Sequence, residues 1–509
     1  MLAGCVSESA SRPAADPPDA RPSVEFLGPD RLTRPGQLRA AARALPDSRI
    51  VAVTFFLGGR PLGTDTTRPY RLDVDPALLP RGEQRLRVEA VDNLGRRTAA
   101  EARGITVEPS GSSILEARPG ASFARARAAL AQGDVTVRLA PGSYVVDRLM
   151  LRSGARLVGS GPDTVLHSPP GSRYWALLVA KGRNIRISDL ALDGGGAVSG
   201  DSDGGIGVAI FDGSRDVRLQ RLHLRRVRTD GVNTWGAHSD ISIQDSRIEG
   251  SRSAEAGIVA LGSDESRDTT AIRNRVSGFR GFGILLQQQE HGRPAADLHG
   301  LVLDNVVSDI RNPSRDGCWT SAKYRTQGCG TDEGGIWTGG VEAAVIGNVV
   351  RRARWDGIET VGSSTRTTIV DNEISDTRTG IYLEHVTNDS LIARNRIVDA
   401  RTGINVEWRH EGAGSSANTF ADNRIVDAKT GIFVDVGGDR HRIVRNVFVG
   451  GGRPAIVLQG SSHNVVRGNR ACGGGQPLVA FPEARFDDGS RAVSRNNRLA
   501  ANEAGLSAC

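Results

Sequence analysis

Three phrases near the end of the chain say the same thing: Thr379-Gly380-Ile381-Tyr382-Leu383-Glu384, Thr402-Gly403-Ile404-Asn405-Val406-Glu407 and Thr430-Gly431-Ile432-Phe433-Val434-Asp435. Each follows an Asp-x-x-Thr-Gly turn and pairs with a second phrase of the type Asn-Arg-Ile-Val-Asp. The asparagines of that second phrase stand at Asn372, Asn395, Asn423, Asn446 and Asn469, spaced by 23 residues except for one step of 28. A fixed period in the twenties specifies a solenoid, because one unit cannot bury its apolar face alone and must stack on its neighbours.

Two solenoids have such a period. Leucine-rich repeats require Leu-x-x-Leu-x-Leu and a helical segment in each turn. Here each unit instead gives two or three short β-branched strands with no helical spacing. Alternation turns Ile381, Leu383, Ile404, Val406, Ile432 and Val434 inward, and Tyr382, Glu384, Asn405, Glu407, Phe433 and Asp435 outward. The expected fold class is all-β, a right-handed parallel β-helix.

Fainter copies run upstream, at Asn184-Ile185-Arg186-Ile187, Val217-Arg218-Leu219, Ile241-Ser242-Ile243, Ala271-Ile272-Arg273-Asn274 and Ala344-Val345-Ile346-Gly347-Asn348. The helical spacing of Phe123, Ala126 and Leu130 within Ala121 to Gln132 suits a cap over the first coil, where strand edges would otherwise lie open. Val135-Thr136-Val137-Arg138-Leu139-Ala140-Pro141-Gly142-Ser143-Tyr144 and Leu157-Val158-Gly159-Ser160-Gly161 resemble the opening coils of the pectate-lyase-like β-helix superfamily. That resemblance implies a fold shared by polysaccharide lyases, glycoside hydrolases, uronan epimerases and some non-enzymes, and does not specify a reaction.

Residues 22–109 follow a different grammar. Ile50-Val51-Ala52-Val53-Thr54-Phe55-Phe56-Leu57 and Leu86-Arg87-Val88-Glu89-Ala90-Val91 are short strands separated by turns, the pattern of a β-sandwich. They resemble bacterial Ig-like domains, which implies a spacer or a carbohydrate-binding module. Leu2-Ala3-Gly4-Cys5 matches a bacterial lipobox, so Cys5 is the expected lipidation site, with a signal peptide upstream of Met1. The expected layout is 1–21 lipobox-like start and linker, 22–109 Ig-like sandwich, 110–475 β-helix with its helical cap, and 476–509 C-terminal cap.

With 509 residues, 38% of them apolar, and 63 glycines, the chain can bury a long, tightly turned core. Its net charge of +7 is carried by arginines interspersed with acids, which gives no basic patch for nucleic acid. If Cys5 is lipidated, Cys318 with Cys329 and Cys472 with Cys509 can form two disulfides, which expects an oxidising compartment. The expectation is a monomeric, cell-surface or extracellular protein that meets a membrane only through a lipid anchor.

Stacked coils bring equivalent side chains to about 4.8 Å from one another. One outward column then reads Trp235, Leu261, Gln287, Gly339, Val361, Glu384, Glu407, Asp435, Gln459; its neighbour reads Asn233, Val259, Leu285, Trp337, Glu359, Tyr382, Asn405, Phe433, Val457. Carboxylates on adjacent rungs repel by about 3 kcal/mol at an effective dielectric near 20. A shared proton, a Ca²⁺ ion or an arginine such as Arg409 would relieve that, and so would water on a solvated face. Long loops at 288–300, 311–334 and 408–419 would wall a groove beside the column.

The candidate catalytic residues are Glu384, Glu407, Asp435, Arg409 and His410, and the candidate substrate contacts are Trp337, Glu359, Tyr382, Asn405, Trp408, Trp319 and Tyr324. Paired carboxylates suit glycoside hydrolysis. Acids with a base such as Arg409, His410 or Lys323 suit β-elimination or C5-epimerisation of a uronan. Thr229-Asp230-Gly231 resembles part of the polygalacturonase signature, but Arg228 stands where that signature has asparagine, and its other elements are missing. The sequence thus expects a polysaccharide-active protein, with a lyase on an acidic glycan placed ahead of a hydrolase or epimerase. The rival is a non-catalytic surface protein that binds glycan or serves as a scaffold.

Overall fold

The computed structural model describes residues 21–110, 114–169, 171–172, 174–195, 204–262, 267–288, 299–311, 334–384, 386–406, 414–451, 454–473, 478–485 and 491–505. Contacts divide the chain after Ser110 into two units, each with its own core. In the first, strands Ser23–Phe26, Gly36–Arg43 and Arg71–Val74 form one sheet, and a second sheet is centred on Ile50–Leu57 and Gly82–Asp92. Leu38, Val53, Phe55, Leu86 and Val88 fill the core of this sandwich-like pair.

The second unit is a right-handed parallel β-solenoid of about 12 turns. The helix Ala121–Gln132 buries Phe123, Ala126 and Leu130 as its spacing requires, with Phe123 edge-on to Tyr144 at 4.8 Å. Each coil then contributes three strands to three parallel stacks. In the first stack the inward column runs Leu178, Val208, Val232, Ile258, Ile284, Ile336, Ile358, Ile381, Ile404, Ile432, Ile456, and every member is buried in one continuous core. Burying each such side chain contributes about 1.5–3 kcal/mol.

Two features lock the stacking. The first is a glycine corner at the entry to that stack: a Cβ on Gly380 would lie 2.5 Å from Gly403 O and 2.5 Å from Ile397 Cγ2. The repeated Thr-Gly is therefore a packing requirement.

The second is the asparagine column. From Asn274 through Asn305, Asn348, Asn372, Asn395, Asn423, Asn446 and Asn469 to Asn502, each backbone N–H donates to the next side chain's Oδ1 at 2.9–3.1 Å. Each Nδ2 donates to the same Oδ1 at 2.9–3.0 Å. It also donates to a carbonyl of the preceding coil, as Asn395 does to Ile369 at 2.8 Å. A buried corner thus has its polar groups satisfied.

A parallel ladder joins Thr367, Ser390, Asn418, His441, Asn464 and Asn497. Both ladders run past residue 475, and strands Arg498–Ala500 and Glu503–Ala504 add a further coil in parallel register. The coiled region therefore extends into the segment assigned to the C-terminal cap, because Asn497 and Asn502 continue the two columns there. Cys472 ends the strand Arg470–Cys472, whereas Cys5, Cys318, Cys329 and Cys509 lie outside the described residues.

The charges largely stitch the turns. Asp371 and Arg394 both have positive φ in equivalent turns and meet at 2.8 Å, and Asp422 with Arg445 repeats the arrangement. These exposed pairs contribute little stability each, but they account for acids and arginines being interspersed.

Replacing Asn395 with Ala removes the acceptor of the Asn372 backbone N–H, one of the acceptors of its Nδ2 and a donor to Ile369 O. We expect a loss of about 4 kcal/mol, read as a lower urea midpoint, against little change for the exposed neighbour Arg396→Ala. Burial drives the pKa of the His441 imidazole down from its ordinary 6.5 to about 4, and its Nδ1 already accepts the Asn418 N–H at 3.1 Å. The unfolded chain takes up a proton first, so stability is complete above about pH 6.5 and falls towards pH 4. The stability gap between the wild type and His441→Asn should narrow across that window by about 3 kcal/mol.

Candidate functional site

The outward face of the first stack carries the candidate site. Its register runs Val179, Ala209, Asn233, Val259, Leu285, Trp337, Glu359, Tyr382, Asn405, Phe433, Val457, one residue per coil. Glu359, Tyr382 and Asn405 therefore occupy consecutive rungs beside Trp337. In the neighbouring column the Glu384 N–H donates to Thr360 O at 3.0 Å and the Asp435 N–H to Val406 O at 3.0 Å, so the ladder continues through both acids. Since Leu383, Val406 and Val434 are in register, Glu384 and Asp435 stand two rungs apart, about 10 Å along the axis.

Facing outward does not leave these groups in water. Glu359 is 0% exposed, and Glu384 and Tyr382 are each 6% exposed, whereas a solvated acidic ribbon was one expectation from sequence. Large rings flank Glu359 in its own column, and Trp337 stacks on Phe282 with centroids 4.7 Å apart and planes within 11°. Ala256, Val259, Phe282 and Leu285 form an apolar cluster on this face, separate from the main core. The acids thus lie at the end of an apolar strip, which lowers the local dielectric.

Burial raises the Asp435 carboxyl above the usual carboxylate range, opposed in part by the Val436 N–H donating to Oδ1 at 2.8 Å. The indole Nε1 of Trp337 is buried without a hydrogen-bond partner among the described residues.

Sequence reasoning missed Asp356, which is 4% exposed. It aligns with Ala256 and Phe282 through Gly334, positions whose side chains share the outer cluster with Val259 and Leu285. In the coil of Asp230 the same two positions touch, Asn233 Nδ2 donating to Asp230 Oδ2 at 2.5 Å. In the coil of Asp356, four coils later, they hold Asp356 and Glu359, two carboxyls in place of one carboxyl and one amide. The sequence signal was an acid before the corner glycine, where the late repeats have threonine.

Glu407, Trp408, Arg409, His410, Trp319, Tyr324 and Lys323 lie outside the described residues. Arg228 is structural: its Nε and Nη1 donate to Gly194 O and Ser172 O at 3.1 and 2.6 Å, and its guanidinium covers the Tyr174 ring. His223 meets Glu249 at 3.0 Å and His238 meets Thr269 at 3.2 Å, so both serve the turns.

The family described as "Periplasmic copper-binding protein (NosD)" matches residues 298–455, under a third of the chain. Among the described residues no group of three or more His, Cys, Asp or Glu could hold a metal ion. No curated protein matches.

Many solved structures are similar at low identity, three of them as follows. PfbA, a surface adhesin of Streptococcus pneumoniae, is 13% identical with TM-score 0.47, covering 74% of this chain and 95% of that one. The A-module of the Azotobacter vinelandii mannuronan C-5 epimerase AlgE6 is 16% identical with TM-score 0.46, covering 76% and 95%. A family 28 exopolygalacturonase of Yersinia enterocolitica is 13% identical with TM-score 0.42, covering 94% and 99%.

Proposed function

We propose that this chain is an exported polysaccharide-active β-helix protein that cleaves a glycosidic bond at the carboxyl groups of the first stack. The observation that carries the reading is Asp435, a partly buried carboxyl with a raised pKa on the same outward column as Glu384. A carboxyl that keeps its proton can donate it to a departing glycosidic oxygen. Glu384, two rungs away, would take a proton from water as that water attacks the anomeric carbon. Their separation of about 10 Å at the backbone is near the wide spacing that inversion needs. Trp337 and Tyr382 would stack on sugar rings, and the orphan indole N–H of Trp337 would find an acceptor in a hydroxyl.

Hydrolysis is the reaction these described groups can perform by themselves. β-Elimination on an acidic glycan, which the sequence placed first, is the second reading, with Lys323, Arg409 or His410 as the base. Epimerisation would use the same groove. A Ca²⁺ ion would suit carboxylate oxygens, but the described residues offer no three-ligand set, so no step is assigned to a metal. A disulfide at Cys472 would suit export to an oxidising compartment. A lipid anchor at Cys5, pairing of Cys472 with Cys509 and of Cys318 with Cys329, and an Ig-like spacer at 22–109 complete the proposal.

Polygalacturonate, alginate and a neutral glucan, each with and without EDTA, provide the test. New reducing ends without absorbance from unsaturated ends support hydrolysis, unsaturated ends support elimination, and binding without cleavage sinks the enzyme in favour of a binder. Glu384→Gln and Asp435→Asn should each lower kcat by about 10²–10⁴ with folding intact. As an acid with a raised pKa, Asp435 should lose its proton, and the enzyme its rate, as pH rises through that shifted value.

A further inference from the structure

The same outward face bears a second aromatic group, several coils towards the N-terminus of the acids. Trp175 and Trp235 stack with centroids 5.1 Å apart and planes 25° apart, and Phe211 lies 5.3 Å from Trp175 and 6.0 Å from Trp235. All three rings are only partly buried. They pack over Ala176, Val179, Ile206 and Ala209, small and aliphatic residues that belong to a cluster separate from the main core.

Polar groups accompany the rings. The Lys181 ammonium stands 5.8 Å from the Phe211 ring centre, and this exposed lysine makes no ion pair among the described residues. Asn233, which pairs in register with Ala209, is 7% exposed, and its Oδ1 is buried with no donor among the described residues. Its Nδ2 is held by Asp230, so the amide orientation is fixed with the oxygen left over. An apolar platform of this kind needs no cation and no orphan acceptor for its own stability. Together they match an acidic sugar: a pyranose face on the indoles, a carboxylate on Lys181, and a hydroxyl for Asn233.

We infer that Trp175, Phe211 and Trp235 form a distal subsite for a uronic acid residue of the glycan whose cleavage is proposed above, and the inference rests on that reading. From Trp235 to Glu384 the column rises five rungs, through Leu261, Gln287, Gly339 and Val361, or about 24 Å. A chain lying along the solenoid axis would thus touch both sites only when it is several rings long. Val259, Leu285 and Trp337, which stand between them, stay in register on the same face of the stack.

The test is binding of oligogalacturonates, oligomannuronates and cello-oligosaccharides to the full chain carrying Glu384→Gln, by calorimetry at two lengths, disaccharide and octasaccharide. The octasaccharide of a uronate should bind more tightly. Trp175→Ala and Trp235→Ala should each weaken that binding by on the order of tenfold while leaving the disaccharide unchanged. Lys181→Gln, a surface change that does not threaten folding, should erase the preference for uronate over cello-oligosaccharide.

Octasaccharide affinity unaltered in all three variants overturns the subsite, as does the lack of any length dependence in the parent. If cleavage by the unsubstituted protein persists in either case, the carboxylate site stands without the platform. If octasaccharides bind through the platform but the unsubstituted protein cleaves nothing, the enzyme falls and the platform remains.

Discussion

The hydrogen bond from one asparagine to the next holds the coils from Asn274 to Asn502, the part of the solenoid that carries the acids. A turn that buries its backbone must find partners for every N–H and carbonyl, and here one side chain serves its own coil and both neighbours. Because each amide must sit directly over the last, the coils have no freedom to slip in register. Side chains on the outer face inherit that alignment. A column of acids can exist only because a column of amides elsewhere holds the coils in step.

Much of this could be read from the residues. The inward Ile and Val positions of the repeats and the helix at Phe123, Ala126 and Leu130 follow from periodicity and are buried as expected, and the spacing of Asn372 to Asn469 marks the places of the amide column. The column order through Trp337, Glu359, Tyr382 and Asn405 was legible because two-residue alternation and a fixed corner glycine leave one alignment. Burial was not legible. A sequence reports which way Glu359 points but not what surrounds it, and the apolar strip depends on residues scattered over more than a hundred positions. Asp356 was hidden for a related reason, since alternation breaks at the corner and places it on the outer face against simple parity.

Energetics distinguish the acids from the rest of the sheet. Val259 and Leu285 show that aliphatic residues fit the outer face of this stack, and a leucine at 359 or 384 would avoid the desolvation of a carboxyl. Stability alone would not select three buried acids within two adjoining coils. The turns illustrate the opposite case, where Asp371 with Arg394 and Asp422 with Arg445 sit at the surface and bring their own counter-charges. Position on the rod therefore separates ion pairs exposed in the turns from carboxyls buried on the sheet.

The glycine corner has an implication for how such a groove can change. With Gly403 O 2.5 Å from the place where a Cβ on Gly380 would be, no side chain fits in this corner, and the coils stack at the spacing of paired strands. Distances along the rod are consequently quantised. A lineage can bring two groups closer or move them apart only by losing or gaining a whole turn, so the natural unit of variation for this surface is the inserted or deleted repeat.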